Sequence, residues 1–209
     1  MMRLKKERKE EEKNPKEEDC KKWSEMTKEE RIARLKKESI SWGIVILAAV
    51  VIGLLLNFVV FMKAKIPSES MVNTLNVGDR VIGFRLSYLF SDPERGDVVI
   101  FDYPDNEEKL FVKRIIGLPG ETIEITDGKV YIWKDETGEN KTLLEEPYLL
   151  EKPVGTYGVF HIPEDSYFVM GDNRNNSLDS RKWTNKYVNR KKIRSKVLLR
   201  YWPNFEFID

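Results

Sequence analysis

The chain has 209 residues, of which 41% are hydrophobic, so it can hold one domain with a packed core and an appendage. Its formal net charge of +1 divides into +3 over residues 1–39 and −2 over residues 63–209, and this near-neutral C-terminal part argues against a nucleic-acid-binding protein. Cys20 is the only cysteine, which excludes both an intramolecular disulfide and a cysteine peptidase built from residues 63–209.

The N-terminal arm, residues 1–39, is strongly charged. Lys and Glu dominate residues 1–26 with few apolar side chains among them, so burial cannot offset the entropy of ordering. This mixture predicts a solvated, disordered or loosely helical segment rather than a basic tail that binds nucleic acid. Thr27 and Glu30 have the spacing of a capping box, which predicts the start of a short amphipathic helix through Lys37.

An uncharged apolar run at residues 40–62 is long enough to cross a bilayer as a helix. It is longer than the core of a secretory signal peptide and has no small-residue cleavage site after it, so we expect an uncleaved, single-pass anchor in the cell membrane. Five Lys or Arg residues lie within residues 28–37, against Lys63 and Lys65 on the other side. By the positive-inside rule, the arm is expected in the cytoplasm and residues 63–209 on the extracytoplasmic side.

Residues 63–209 have the pattern of one β-rich domain, in which short segments rich in Val, Ile, Phe and Tyr alternate with turn residues. Asp127-Gly128 is a hairpin signal. Residues 134–156 are polar and interrupted by Gly and Pro, which predicts a small insertion outside the core. Trp202 is expected to be a buried strand end rather than a membrane contact. The predicted strands are 79–84, 97–101, 110–116, 122–126, 129–133, 157–162, 166–170 and 195–202.

Two serines, Ser68 and Ser70, lie shortly after the apolar run. A serine hydroxyl is a weak nucleophile until a base takes its proton. The only histidine, His161, lies in a predicted strand, and we interpret it as a structural residue. Lys113 is the alternative base, because a desolvated lysine can lose several pKa units whereas arginine stays protonated.

Lys113 lies beside Arg114 in the predicted strand 110–116. Alternation places Phe111 and Lys113 on one face and Val112 and Arg114 on the other, and periodicity leaves open which face is inside. A lysine whose stem lies along the sheet while its ammonium reaches water is the competing interpretation.

A polar segment, residues 171–181, follows the predicted strand 166–170. Its Gly, Asp, Asn and Ser residues predict a hydrogen-bonded turn in which Asp179 and Arg181 form an ion pair, and a plain surface loop is the competing interpretation. The segment lacks the ligand spacing and the terminal Glu of a calcium-binding loop, so no metal site is expected.

Four motifs occur together in this chain. In chain order they are Ser70-Met71-x-x-Thr74-Leu75, Gly96-Asp97-Val98-Val99, the run from Lys113 to Glu121, and Gly171-Asp172-Asn173-Arg174 with Ser177, Asp179 and Arg181. In order and approximate spacing, this set resembles the bacterial type I signal peptidase family over residues 40–205, especially its small Gram-positive-type enzymes. One departure is Asn73, where most members carry proline, so we expect a looser turn after Ser70.

The resemblance implies a serine–lysine endopeptidase with a mainly antiparallel β fold, of the type shared with self-cleaving repressors. Ser70 would be the nucleophile and Lys113 the general base, and the Ser68 hydroxyl with the Ser70 backbone N–H would hold the oxyanion. The other implied roles are orientation of the Lys113 amine by Ser177, bracing of that loop by Asp179 and Arg181, and shallow substrate pockets lined by Ile66, Pro67, Met71, Leu75, Phe111 and Val112.

The implied reaction is removal of N-terminal signal peptides from exported preproteins after small residues (Ala-x-Ala), through an acyl-enzyme and without a metal or cofactor. Its implied partners are signal-peptide-bearing preproteins and the lipid bilayer, with the secretion translocon as a further candidate and no nucleic acid. Three other classes stay open. The first is a non-catalytic peptide-binding domain, against which the pair of Ser70 and Lys113 argues. The second is a self-cleaving DNA-binding regulator, for which the N-terminal arm is too short. The third is an extracellular interaction module, which would make the shared motif order a coincidence.

Overall fold

A computed structural model of the chain describes residues 23–135 and 138–208. The predicted solvated tail falls mainly on residues 1–22, which lie outside the described residues, as does Cys20. The described residues divide into two units, one that ends at Gly53 and one that begins at Leu54.

The helix α1 (Lys28–Leu55) begins at the predicted capping box. Thr27 N donates to Glu30 Oε2 at 2.9 Å, and Glu30 N donates to Thr27 Oγ1 at 3.3 Å. A π-helical turn, Leu56–Val60, continues α1, so one helix replaces the predicted short helix and separate apolar span. This helix is long and apolar enough to cross a membrane.

Twelve strands, each paired antiparallel, follow the helix in the described part of the chain. They are β1 (Phe61–Lys65), β2 (Arg80–Phe84), β3 (Val98–Tyr103), β4 (Asn106–Gly117), β5 (Thr122–Thr126), β6 (Lys129–Trp133), β7 (Thr142–Leu143), β8 (Gly158–His161), β9 (Ser166–Met170), β10 (Val188–Asn189), β11 (Ile193–Trp202) and β12 (Glu206–Phe207). The larger sheet has the order β1-β2-β11-β3-β4-β9-β10, with β12 on β11, and the smaller has the order β7-β6-β5-β8. The predicted mainly antiparallel β fold is confirmed.

The strand β1 was not predicted. Its first two residues, Phe61 and Met62, belong to the apolar run that suggested a helix, but β1 pairs with β2 along its full length. Phe61 lies opposite Phe84, with ring centroids 5.9 Å apart, and Met62 packs against a buried apolar cluster. Long-range pairing and burial therefore end the helix at Val60 and begin the sheet one residue later.

The hairpin between β5 and β6 follows the prediction. Asp127 and Gly128 have φ angles of 49° and 73°, as a type I′ turn requires. A Cβ on Gly128 would lie 1.9 Å from the Pro153 carbonyl oxygen, so this turn also needs glycine for close packing. Residues 134–156 are thus in contact with the sheet, and two of them form β7.

The long strand β4 crosses the packed interior. Ile116 belongs to an apolar cluster shared with the smaller sheet, and Ile115 belongs to another centred on Trp183. The two adjacent cations in this part of the strand are buried, with Lys113 3% and Arg114 4% exposed, so neither face of β4 reaches water at this point. Trp202, by contrast, is 58% exposed, and the prediction of a buried strand end was wrong because β11 extends beyond the core there.

Candidate active site

The predicted nucleophile, Ser70, lies on a 3₁₀ turn, Glu69–Met71. Apolar side chains on both sides of the turn, Ile66 and Met71, are buried in one cluster. The backbone holds the approach to the turn, because Ile66 N donates to Asp79 O at 2.9 Å and Gly78 N donates to Ile66 O at 2.9 Å. These contacts anchor Ser70 on the rigid sheet.

The structure brings Ser70 and Lys113 together although 43 residues separate them. Lys113 Nζ lies 2.5 Å from Ser70 Oγ, and it also donates to Val112 O at 3.1 Å. Ser70 is 8% exposed, so the contact is nearly shielded from water. This is the geometry in which an amine can take a proton from a serine hydroxyl.

Burial lowers the pKa of Lys113 from 10.5 to about 8. The carboxylates of Asp179 and Asp172 favour the ammonium and oppose this shift, whereas the charge of Arg181 favours the neutral amine. The Phe111 ring lies 5.5 Å from Lys113 Nζ and supplies part of the apolar surroundings. About a tenth of the amine is therefore neutral at pH 7, against far less than a hundredth for an ordinary lysine, and the neutral form is the one that can act as a general base.

Ser68 occupies the N-cap position of the 3₁₀ turn, and its side chain is exposed and makes no capping hydrogen bond. Its Oγ lies 3.4 Å from Ser70 Oγ. A hydroxyl at this distance can donate to an oxygen that binds beside Ser70 Oγ, which is the arrangement needed for an oxyanion.

The 171–181 segment lies against the turn that carries Ser70. Asn173 N donates to the Ser70 carbonyl oxygen at 3.1 Å. A Cβ on Gly171 would lie 2.4 Å from that same Ser70 oxygen and 2.4 Å from Ser177 Oγ, so any side chain at position 171 would displace one of them. Ser177 is buried, and its hydroxyl lies close enough to the Asp179 carboxylate to help lower the pKa of Asp179.

Asp179 and Arg181 form the predicted ion pair, with two hydrogen bonds of 2.8 Å each. Burial alone would raise the pKa of Asp179, but the hydrogen bonds and charge of Arg181 outweigh it, so the pKa of Asp179 is lowered. Asp179 also accepts from Gly171 N at 3.0 Å, and Arg181 donates to Arg174 O at 2.7 Å. The pair thus fixes the backbone of the loop that contacts Ser70.

A second buried ion pair was not predicted. Arg114 donates to Asp172 through Nε at 3.0 Å and Nη2 at 2.9 Å, and Thr74 Oγ1 donates to Asp172 Oδ2 at 2.5 Å. The pair joins β4, the 171–181 segment and the Ser70 turn (residues 69–75). Its only sequence signal was the presence of these three residues in the four motifs, because pairing across 58 residues leaves no local pattern.

A cleft of 770 Å³ opens at Ser70 and Lys113. It is lined by both β1 and β4, although three strands lie between them in the sheet order, so the larger sheet is curled. Five of the six predicted pocket residues line the cleft. These are Ile66, Pro67, Met71, Phe111 and Val112.

Leu75, the sixth, is placed elsewhere. It is fully buried beneath the turn and is absent from the cleft lining, so it packs in the core.

His161 is exposed on β8, in the smaller sheet, where its Nδ1 lies 3.0 Å from Thr122 Oγ1. Among residues 23–135 and 138–208, no group of three or more His, Cys, Asp or Glu side chains is placed to hold a metal ion.

Asn73 adopts a φ of 90°, a conformation in which asparagine is enriched among non-glycine residues. Proline, whose ring holds φ near −65°, cannot adopt it. The Asn73 side chain also donates to Tyr148 O at 2.7 Å. The expected loosening of this turn is therefore opposed by a contact that proline could not make.

Comparison with known proteins agrees with these observations. Residues 39–202 match the family described as "Signal peptidase, peptidase S26". The probable signal peptidase I-2 of Synechocystis sp. is 38% identical over 80% of this chain and 78% of its own length. The signal peptidase I of Leptolyngbya laminosa is 44% identical over 66% of this chain and 67% of its own length. The signal peptidase I of Bacillus licheniformis is 36% identical over 73% of this chain and 83% of its own length.

The crystal structure of a signal peptidase I from Enterococcus faecalis can be superposed on part of this chain. The match covers 51% of this chain and 97% of the E. faecalis chain, with 31% sequence identity and a TM-score of 0.42. The assignment rests on the sequence matches, which include most of the chain and all four motifs. The chain belongs to the signal peptidase family, peptidase S26.

Proposed function

We propose that this signal peptidase cleaves its substrates with Ser70 as the nucleophile and Lys113 as the general base. The observation that carries the proposal is the 2.5 Å contact between Lys113 Nζ and Ser70 Oγ inside an open cleft. As a member of its family, the chain is a serine endopeptidase that removes signal peptides from preproteins.

In the first step, the neutral Lys113 amine takes the Ser70 hydroxyl proton while Ser70 Oγ attacks the scissile carbonyl carbon. The carbonyl oxygen becomes an oxyanion, which accepts hydrogen bonds from the Ser68 hydroxyl and the Ser70 backbone N–H. The Lys113 ammonium gives its proton to the leaving amine as the C–N bond breaks. The mature protein departs and the signal peptide stays as an ester on Ser70.

A water molecule then attacks the ester, and Lys113 takes one of its protons. The ester bond breaks and Lys113 gives this proton to Ser70 Oγ, which recovers its hydroxyl. The signal peptide leaves as a carboxylic acid, which loses its remaining proton to solvent. Ser177 would orient the Lys113 amine, as the resemblance to the family implies, and its buried hydroxyl lies beside Gly171 in the same loop. The hydrogen bonds that the amine makes in this structure are to Ser70 Oγ and Val112 O. The pair of Asp179 and Arg181 would hold that loop in place.

The substrate is proposed to bind as an added β-strand. β9 pairs with β4 only from Arg114 onward, so the part of β4 at Leu110–Lys113 lacks a strand on that side within the described part of the chain. This open edge lines the cleft and can pair with an extended peptide, whose alternate side chains would then point into the cleft. Shallow pockets there would favour small residues such as alanine.

The helix and the charges around it support a membrane anchor. The apolar part of the helix and the excess of Lys and Arg before it together favour the N-terminus in the cytoplasm and the β domain outside. The proposed partners are exported preproteins, the bilayer and the secretion translocon.

Purified protein in detergent is expected to cut a preprotein whose signal ends in Ala-x-Ala after the second alanine. Mass spectrometry of both products locates the cut, and a preprotein with tryptophan in place of the second alanine is the control and should stay intact. Equal cleavage of both substrates, or a cut elsewhere, would contradict the proposed pockets.

The kcat/KM of wild-type protein is expected to rise about tenfold per pH unit well below pH 8 and to level off above it. The reason is that burial lowers the pKa of Lys113 in the free protein to about 8 and only the neutral amine accepts the Ser70 proton. The measurement is kcat/KM at limiting preprotein between pH 5.5 and 10, with the folded fraction followed by circular dichroism. A kcat/KM that stays constant down to pH 5.5 would rule out neutral Lys113 as the base.

A further inference from the structure

We propose that residues 145–154 form a strap that positions the Ser70 turn through Asn73 and Tyr148, and that these two are positioning residues for the reaction. The proposal rests on the assignment of Ser70 as the nucleophile. The strap is part of residues 134–156, the segment whose polar sequence predicts an insertion outside the core. In the structure it contacts the two loops that surround Ser70.

Both ends of the strap are held on the smaller sheet. Before it, β7 pairs with β6, and Leu144 N donates to Val130 O at 2.9 Å. After it, Gly128 N donates to Gly155 O at 2.9 Å, and the Pro153 carbonyl packs so closely on Gly128 that no Cβ fits there. A segment held at both ends can transmit the rigidity of the sheet to whatever it touches in between.

The first contact of the strap is with the Ser70 turn itself. Asn73 Nδ2 donates to Tyr148 O at 2.7 Å, only three residues after Ser70. Asn73 is the only described non-glycine residue besides Asp127 with a positive φ, and such a conformation is retained only where the surroundings favour it. The hydrogen bond to the strap supplies that support.

The second contact is with the buried pair behind the turn. The Tyr148 ring lies 4.2 Å from the guanidinium carbon of Arg114 and shields the ion pair of Arg114 with Asp172. Thr74, the residue after Asn73, donates to Asp172. The Tyr148 ring therefore acts on the Ser70 turn through this ion pair, and the Tyr148 carbonyl acts on it directly through the hydrogen bond from Asn73.

The third contact is with the 171–181 segment. Glu146 forms a buried ion pair with Arg174, which also reaches the Tyr148 hydroxyl at 3.3 Å. Farther along, Asn175 Oδ1 accepts from Val154 N at 3.1 Å. Since Asn173 N donates to the Ser70 carbonyl, this segment passes the restraint on to the nucleophile.

The test is a double-mutant cycle on kcat with an Ala-x-Ala preprotein. Asn73→Asp tolerates the positive φ but cannot donate to Tyr148 O, and it is expected to lower kcat about 3- to 10-fold with KM unchanged within about twofold, as the loss of one hydrogen bond implies. Tyr148→Ala is expected to lower kcat to a similar extent. Both residues act through one strap, so their effects should not multiply. The kcat of the double variant is expected to lie within about twofold of the kcat of the slower single variant.

The matched control is Asp127→Asn, the reverse exchange at the other positive-φ residue, which lies in the β5–β6 hairpin away from the cleft. It should leave kcat unchanged. Thermal unfolding of every variant separates positioning from stability, because a strap that only stabilised the fold would lower Tm and leave kcat of the folded protein intact. Such a result, or single effects that multiply in the double variant, would overturn the proposal.

Ser70→Ala is measured in parallel so that the two proposals can fail separately. If Ser70→Ala is inactive while Asn73→Asp and Tyr148→Ala keep the wild-type kcat, the strap is wrong and the nucleophile stands. If Ser70→Ala still cleaves, both proposals are wrong.

Discussion

Ser70→Ala is expected to lower kcat by about 10⁴-fold or more, the scale seen when a covalent nucleophile is removed from a serine hydrolase. The only atom lost is Oγ, which lies 2.5 Å from Lys113 Nζ. The Lys113 amine keeps its hydrogen bond to Val112 O, so the fold should survive the change. The measurement is cleavage of the Ala-x-Ala preprotein by purified wild-type and variant protein in the same detergent.

Ser68→Ala is the graded control for this variant. It removes one proposed oxyanion donor and leaves the nucleophile, so its kcat should fall by about 10²–10³-fold, less than that of Ser70→Ala. A Ser70→Ala protein that cuts at more than a hundredth of the wild-type rate would place the nucleophile elsewhere. Folded wild-type protein that binds the preprotein without cutting it would instead favour the peptide-binding interpretation.

Lys113→Arg is expected to lower kcat by about 10²–10⁴-fold, the usual contribution of a general base. The variant keeps a positive charge at the site, but arginine stays protonated and cannot take the Ser70 proton. Cleavage is measured at pH 9, where the wild-type amine is mostly neutral, so that the comparison reports the loss of the base alone.

Arginine is bulkier than lysine, and position 113 is only 3% exposed, so a second variant is needed to exclude a folding defect. Lys113→Met fills the same apolar space without a base and should fold while losing activity to the same extent. If either folded variant retained more than a tenth of the wild-type kcat at pH 9, Lys113 would not be the base.

Residue types alone restricted the choice of base without deciding it. Serine needs a base, the only histidine lies in a strand pattern, and arginine cannot lose its proton, which favours a lysine. The resemblance to the signal peptidase family, rather than elimination, pointed to Lys113. The motif order then implied the partners of this pair in the 171–181 segment. Of the predicted pocket residues, only Leu75 lies away from the cleft, because sequence distance from Ser70 does not reveal which side of the turn faces the core.

Local sequence determined the elements whose stability is local. The strands β5, β6 and β9 begin and end where alternation and turn residues predicted, and Asp127-Gly128 forms the expected hairpin turn. The capping box at Thr27 begins the helix for the same reason, since both of its hydrogen bonds join residues three apart.

Tertiary structure alone decided the rest. Phe61 and Met62 are apolar enough for a helix, yet pairing with β2 places them in a sheet. Periodicity left open which of Lys113 and Arg114 is buried, and both are, because Ser70 and Asp172 lie in distant segments that fold against them. Residues 145–154 have the composition of a loose insertion, but anchoring at both ends makes them a strap over the site. In each case, the free energy comes from contacts between residues far apart in sequence, and no local pattern records such contacts.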